Sequence, residues 1–255
     1  MWFAIYKREL KAYLQSPVVY VIGGIFLFLT GYFTIGMMIE YSDIYNDFQA
    51  RRMYSMENMN VTEWVIRGFL GLINFLMLFI IPLLTMRLLA EEKKNRTFEV
   101  LVTCPVKDGA VLAGKYLASM SVFTAFLLIC LIYPALVEKF SDPEWPVVWT
   151  GYLGLLLSMT AYFAFGIFAS SITENQIIAA FLCFAGLLFF YLVGEVTSSQ
   201  AGWIGNLSGA ISLRRHSMNF IKGVVEAKDV FYFIAFTVFF LFLSLEMMKI
   251  RRWRS

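Results

Sequence analysis

Residues 109–115 read GAVLAGK, which is the glycine and lysine spacing of a phosphate-binding loop. In such a loop, backbone N–H groups hold the phosphates of a nucleotide and the lysine reaches them. The next residue is Tyr116, where a Ser or Thr would be needed to hold magnesium, and a long apolar run begins there. The sequence therefore predicts that the chain has no ATPase site of its own.

Other catalytic arrangements also find little support. His216 is the only histidine and lies outside the apolar runs, so an intramembrane serine hydrolase would lack a base beside its nucleophile. No HExxH helix offers zinc ligands, and Cys104, Cys130 and Cys183 have no paired spacing. We therefore expect a non-catalytic chain with no catalytic residues, no metal site and no cofactor of its own.

The composition is that of an integral membrane protein. Hydrophobic residues make up 60% of the 255 residues and charged residues 15%, against about 45–50% and about 25% in soluble domains. Glu174, Glu195 and Glu246 lie only at the edges of the apolar runs, which disfavours ion-coupled transport because ion relays need ionisable groups within the membrane. Runs of about 20 residues predict a single all-α domain with six transmembrane helices, at about 17–39, 68–86, 116–137, 147–171, 176–195 and 230–248.

The distribution of basic residues predicts the orientation. With both termini in the cytoplasm, thirteen of the 21 Lys and Arg residues lie on the inner side, as the positive-inside rule requires. The last outer loop runs against this rule, since it contains Arg214, Arg215, Lys222 and Lys228.

Two segments outside the spans have a recognisable character. Residues 1–16 place apolar side chains at helical spacing with basic residues off that stripe, which predicts an amphipathic helix in the inner membrane interface. Residues 196–228 are too polar to cross the membrane. They could form a hairpin that closes the outer end of the bundle, or an exposed outer loop.

The segment 87–115, between the second and third spans, is short and rich in charge. Phe98, Leu101 and Val102 form an apolar stripe at helical spacing, and Pro105 is expected to end that helix. Asp108 can then cap the helix that becomes the third span. We interpret this as a helix, a turn and a second helix under the membrane, where a partner protein could bind; the alternative is a solvated spacer.

Three stretches carry a resemblance to a known family. The run EEKK at 91–94, followed by TFEVLVT at 97–103, Pro105 and Gly114-Lys115, resembles the EEKK-x-GT-x-E-x-L-x-x-x-P…GK pattern of ABC-2 type permeases. SSITENQ at 170–176 and FIKGVV with Asp229-Val230 at 220–230 resemble motifs of the permease subgroup associated with gliding motility. One departure is Asn95-Arg96, where the family usually has a Gly before the Thr.

The resemblance implies a permease subunit of an ATP-driven transporter in the bacterial inner membrane. Its partners would be an ABC ATPase subunit that binds ATP and magnesium, a second permease copy in a homodimer or related heterodimer, and membrane lipids. A periplasmic or membrane accessory protein is a further possible partner, and no nucleic acid is expected. The 87–115 segment would contain a coupling helix. The implied ATPase contacts are Glu91, Glu92, Arg96, Thr97, Phe98, Glu99, Leu101, Val102, Pro105, Glu174 and Asn175.

Two other functions remain open. The same architecture could serve as a mechanical transmitter or scaffold that moves nothing across the membrane and acts on a periplasmic or outer partner. A membrane-embedded enzyme would have to show activity as the isolated chain.

Overall fold

The computed structural model describes residues 2–51, 60–94, 108–196 and 203–252. These residues form α-helices with one π-helical turn at Thr62–Ile66, and they contain no strand. The helices are α1 (Trp2–Gln15), α2 (Pro17–Arg51), α3 (Arg67–Thr85), α4 (Ala90–Lys94), α5 (Asp108–Cys130), α6 (Ile132–Val137), α7 (Trp145–Ile172), α8 (Gln176–Val196), α9 (Trp203–Ile211), α10 (Leu213–Ile221) and α11 (Ala227–Arg252).

Six stretches of helix are long and apolar enough to cross a membrane, which confirms the predicted all-α architecture with six membrane-length helices. They run over Pro17–Asp47, Thr62–Lys94, Asp108–Val137, Trp145–Ile172, Gln176–Glu195 and Ala227–Ile250. Large apolar side chains such as Phe28, Phe181 and Phe231 are exposed on the outside of the bundle, where lipid would cover them. That both termini are cytoplasmic stays a prediction.

The helices extend beyond the predicted spans. α2 continues from the end of its apolar run to Arg51, because helical hydrogen bonds persist where apolarity ends. The third span is interrupted at Leu131, between α5 and α6. Pro134 explains the interruption, since its ring would clash with the carbonyl group of Cys130, four residues earlier.

The centre of the bundle is α7, which packs against α3, α5, α8, α10 and α11. Its glycine residues Gly151 and Gly154 allow neighbouring helices to approach closely. A Cβ atom added at Gly151 would lie 2.3 Å from Cδ1 of Leu70, and one added at Gly154 would lie 2.4 Å from Cβ of Phe220. These contacts hold α3 and α10 directly against α7.

The amphipathic helix α1 packs along α5. A Cβ atom added at Gly114 would lie 2.8 Å from Cγ2 of Ile5, and the hydroxyl groups of Tyr6 and Ser121 are 3.0 Å apart. Leu10, from the predicted apolar stripe, packs against the main hydrophobic core. At least part of the apolar stripe therefore packs against other helices of the chain. The position of α1 in the membrane interface stays a prediction.

Candidate functional site

Two of the sequence motifs meet at one end of the bundle, where α3 gives way to α4 and α7 gives way to α8. The buried hydroxyl group of Ser170 accepts hydrogen bonds from the backbone N–H groups of Leu89 (3.1 Å) and Ala90 (3.0 Å). It also lies 3.2 Å from the carbonyl oxygen of Met86, to which it donates. Helix ends leave backbone groups without partners, and a single serine of α7 satisfies three of them between the end of α3 and the start of α4.

A lysine makes a second connection between the same helices. The ammonium group of Lys93 donates to the carbonyl oxygen of Ser171, at the end of α7, and the Lys93 side chain is nearly buried. A buried ammonium group that donates to a helix C-terminus interacts favourably with the helix dipole. α4 is therefore fixed to α7 by side chains from both helices.

The turn between α7 and α8 is ordered by its own polar side chains. The backbone N–H of Asn175 donates to the hydroxyl oxygen of Thr173 (3.1 Å), and the backbone N–H of Ile177 donates to Oδ1 of Asn175 (2.9 Å). Asn175 thus caps α8 in the way that Asn does at many helix starts. Glu174 and Asn175 are both exposed on this turn.

A cluster of four charged side chains joins α1, α4 and α5. The ammonium group of Lys115, whose side chain is 3% exposed, lies 2.7 Å from Oε1 of Glu92 and 3.3 Å from Oε1 of Glu9. The Arg8 guanidinium lies 2.7 Å from Glu9 and 3.9 Å from Glu92. The hydrogen bond from Glu9 raises the pKa of Arg8. Two acidic and two basic groups balance, so the cluster holds three helices together without a net charge.

The predicted phosphate-loop lookalike has a helical structure. Residues 109–115 lie within α5, so their backbone N–H groups are not arranged as a loop around a phosphate. Lys115, its last residue, is engaged by two carboxylates.

The third motif shapes the opposite end of the bundle. Phe220 is fully buried at the end of α10, and Gly223 follows with a φ of +87°, a conformation that side chains other than glycine rarely adopt. The backbone N–H groups of Gly223 and Val224 donate to the carbonyl oxygens of Phe220 (3.0 Å) and Asn219 (2.9 Å), which ends the helix. The motif therefore sets the turn from α10 toward α11.

A comparison with protein families matches residues 42–246 to the model described as ABC-2 family transporter protein. The chain belongs to this ABC-2 transporter family. The matched range includes all three motifs, four of the six membrane-length helices in full, and parts of the first and the last. A search of curated proteins finds no match.

Membership of the ABC-2 family makes this chain a transmembrane transporter subunit and implies that it pairs with an ABC ATPase subunit. Proteins of this type are typically non-catalytic membrane subunits. This agrees with the coarse functional interpretation of the sequence, and the six apolar helices support a multi-pass membrane location.

The structure places four of the predicted ATPase contacts of this ABC-2 chain. Glu91 and Glu92 lie on α4 and are partly buried; Glu174 and Asn175 lie on the neighbouring turn. Glu92 contacts Lys115, so at least one of its carboxylate oxygens already has a partner within the chain. The other predicted contacts lie outside the described residues: Arg96, Thr97, Phe98, Glu99, Leu101, Val102 and Pro105.

Sequence reasoning missed the residues that hold this end of the ABC-2 chain together. Ser170 was in a recognised motif but had no assigned role, and Glu9 was not singled out at all. One signal was available: Glu9 is the first acidic residue of the chain, and no other occurs before Glu40. A lone carboxylate within a basic amphipathic helix is expected to be paired, and Glu9 pairs with Arg8 of its own helix (2.7 Å) and with Lys115 of α5 (3.3 Å).

Proposed function

We propose that this chain is the permease subunit of an ATP-driven ABC-2 transporter, which couples ATP hydrolysis by a separate ATPase to export or movement across the membrane. ATP and magnesium would be bound by the ATPase. The docking face would comprise α4, the segment 95–105 and the turn 173–175.

The observation that carries this proposal is the pair of connections from α4 to the end of α7. Because Ser170 and Lys93 tie α4 to the most central helix, a displacement of α4 would be passed to α7 rather than absorbed by a loop. The Glu92–Lys115 pair gives a second route, to α5 and α1. A coupling element needs such rigid connections to bias the spans between inward and outward states.

Helix-in-groove docking assigns different roles to the apolar and charged residues of this face. Apolar anchors such as Phe98, Leu101 and Val102 would supply affinity. Rim charges such as Glu91 and Glu174 would mainly set orientation and association rate.

The double variant Phe98→Ala, Leu101→Ala tests the docking face. Loss of two apolar anchors is expected to weaken binding of the ATPase by at least about tenfold, since anchor residues commonly contribute more than 1 kcal/mol each. Binding is measured by pull-down of the ATPase with the purified permease in mild detergent. Phe140→Ala is the matched control, because Phe140 is 78% exposed at the other end of α5 and α6. Wild-type capture by the double variant would contradict the docking proposal.

The variant Ser170→Ala tests the connection between α4 and α7. Two backbone N–H groups lose their acceptor, so the free energy of unfolding should fall by about 1–3 kcal/mol. The ATPase should still bind, but the change in its hydrolysis rate on binding the permease should shrink. Thermal unfolding and ATP hydrolysis by the complex measure the two effects, with Ser42→Ala on the exposed side of α2 as control. If the variant changed the hydrolysis rate of the ATPase as much as the wild-type permease does, transmission through Ser170 would be refuted.

We further propose that two permease copies, identical or related, assemble with two ATPase subunits in the bacterial inner membrane, and that the chain is of the gliding-motility type. The resemblance of residues 170–176 and 220–230 supports that finer assignment. Co-purification from native membranes in mild detergent, followed by identification of the accompanying chains, tests the partners. An accompanying ATPase with a large periplasmic protein would instead favour the transmitter or scaffold function.

A further inference from the structure

A cavity of about 370 Å³ lies between α3, α8 and α10, at the end of the bundle opposite α4. Its size falls within the roughly 300–1,000 Å³ of small-molecule sites. Three of its lining residues are basic: Arg67 at the start of α3, Arg214 on α10 and Lys222 just after α10. The lining contains no acidic residue among the part of the chain that the structure describes.

The basic groups around this cavity retain donor capacity. Among the described residues, Arg67 and Arg214 each pair with one carboxylate, Glu63 (2.7 Å) and Glu195 (3.3 Å) respectively. Both carboxylate side chains are more than half exposed and lie outside the cavity lining. The Nε atom of Arg67 is buried and has no hydrogen-bond partner within the described residues. Lys222 forms no ion pair with any residue that the structure describes. The cavity is therefore surrounded by more positive charge than its neighbours neutralise.

The polar floor of the cavity is fixed by a buried hydrogen-bond network. The amide of Asn74 donates to the hydroxyl oxygen of Ser217 (2.8 Å) and accepts from the hydroxyl group of Tyr162 (3.0 Å). Ser217 in turn donates to the backbone carbonyl oxygen of Arg214 (2.9 Å). This network holds α10, and with it Arg214, in one position relative to α3 and α7, which reduces the ordering cost of binding.

The sequence supplies an independent observation. Arg214 and Lys222 belong to the predicted outer segment whose basic residues run against the positive-inside rule. Topology alone does not account for positive charge there. A ligand that needs positive charge for its binding would account for these basic residues.

We propose that this cavity binds a phosphate group, either on a lipid headgroup or free in solution. Arginine provides several N–H donors in a fixed plane that matches phosphate oxygens, and a lysine adds a point charge. The cavity is lined by basic side chains from three parts of the chain: Arg67, Arg214 and Lys222. This arrangement matches a phosphate group, whose oxygens point in several directions. Met218 and Ile221 line the same cavity and provide an apolar side for the remainder of the ligand. The site goes beyond the proposed function and does not depend on the ATPase.

Two double variants that remove the same charge provide the main test. Arg214→Gln with Lys222→Gln changes the cavity lining, whereas Arg215→Gln with Lys228→Gln changes exposed residues of the same segment outside it. Native mass spectrometry of the purified chain in detergent measures binding of dioleoyl phosphatidic acid, of dioleoylglycerol, which lacks the phosphate, and of inorganic phosphate. Thermal unfolding checks that each variant is folded.

We expect phosphatidic acid to bind saturably and dioleoylglycerol not to, with at least about tenfold weaker binding in the cavity double variant and a change within about twofold in the control. Binding of phosphatidic acid alone would identify a lipid source, and binding of inorganic phosphate with the same variant pattern a soluble one. Equal losses in the two double variants, equal binding of the two lipids or no saturable binding of either phosphate probe would overturn the proposal.

A variant that leaves the charges in place tests the cavity itself. Gly71 lines it, and a Cβ atom added there meets nothing within 4 Å, so Gly71→Leu should fold and occupy ligand space. Gly36→Leu on α2 is the control, because an added Cβ also meets nothing there and the residue lies outside the lining. Gly71→Leu should weaken phosphate binding at least about tenfold and Gly36→Leu should not. Undiminished binding by Gly71→Leu would place the ligand elsewhere.

Discussion

Replacement of Lys115 by Met is expected to lower the free energy of unfolding by about 3 kcal/mol. The ammonium group of Lys115 is almost fully enclosed and contacts carboxylates of both Glu9 and Glu92. Removing one partner of a buried ion pair costs about 3–5 kcal/mol because the remaining charge stays buried. The lower end applies here, since Arg8 remains 2.7 Å from Glu9 and compensates part of the lost charge.

Thermal unfolding of the purified chain in detergent measures this effect. A loss of about 3 kcal/mol corresponds to a fall of roughly 6–12 °C in the midpoint for a chain of this size. Lys94→Met is the matched control, since Lys94 is exposed on the neighbouring helix and should change stability by less than about 0.5 kcal/mol. Adding Glu9→Gln and Glu92→Gln to Lys115→Met should restore part of the stability. A triple variant less stable than Lys115→Met would show that uncompensated charge is not the cause.

The six membrane-length helices could be predicted because apolarity and length alone decide whether a segment can cross a bilayer. The apolar run beginning at Tyr116 is one example in which the local sequence carries this information. Boundaries were less predictable. The helix break at Leu131 follows from Pro134, but the extension of α2 to Arg51 follows from backbone hydrogen bonds that apolarity does not report.

The partners of α1 could not be predicted from its own sequence. Its apolar stripe is compatible with either lipid or protein, and the contact between Glu9 and Lys115 joins residues more than 100 positions apart. The motif at 170–176 shows a related limit. The pattern itself was recognisable, yet its roles, Ser170 as acceptor for the start of α4 and Asn175 as cap of α8, depend on where α4 lies in space.

The segment 196–228 illustrates why polar connections are hard to predict. Its composition allowed a hairpin or an exposed loop, and the structure has α9 and α10 there, with α10 packed against α3, α7 and α8. The contacts that fix α10 come from distant residues, as in the hydrogen bond from Asn74 to Ser217. The sequence of the segment 196–228 alone does not indicate these contacts.

The junction of α10 with α11 depends on one buried carboxylate. Asp229 is fully buried, and its two oxygens accept from Nδ1 of His216 (2.6 Å) and from the amide of Asn219 (2.8 Å). The His216 ring also stacks on Tyr232 at a centroid distance of 4.0 Å. The only histidine of the chain therefore has a structural partner. Asp229, from the 220–230 motif, links α11 to α10 across the turn.

Asp229→Ala is expected to lower the free energy of unfolding by about 3 kcal/mol, because two partly buried donors lose their fully buried acceptor at about 1–3 kcal/mol each. Asp142→Ala, at an exposed loop position, is the control and should have an effect below about 0.5 kcal/mol. Combining Asp229→Ala with His216→Phe should recover part of the loss, since the aromatic ring keeps its stacking on Tyr232 and no longer presents an N–H group that lacks an acceptor. Thermal unfolding of the wild type, Asp229→Ala, His216→Phe and the double variant measures the coupling between the two residues. Strictly additive losses in the double variant would mean that His216 and Asp229 do not stabilise the α10 to α11 junction as a pair.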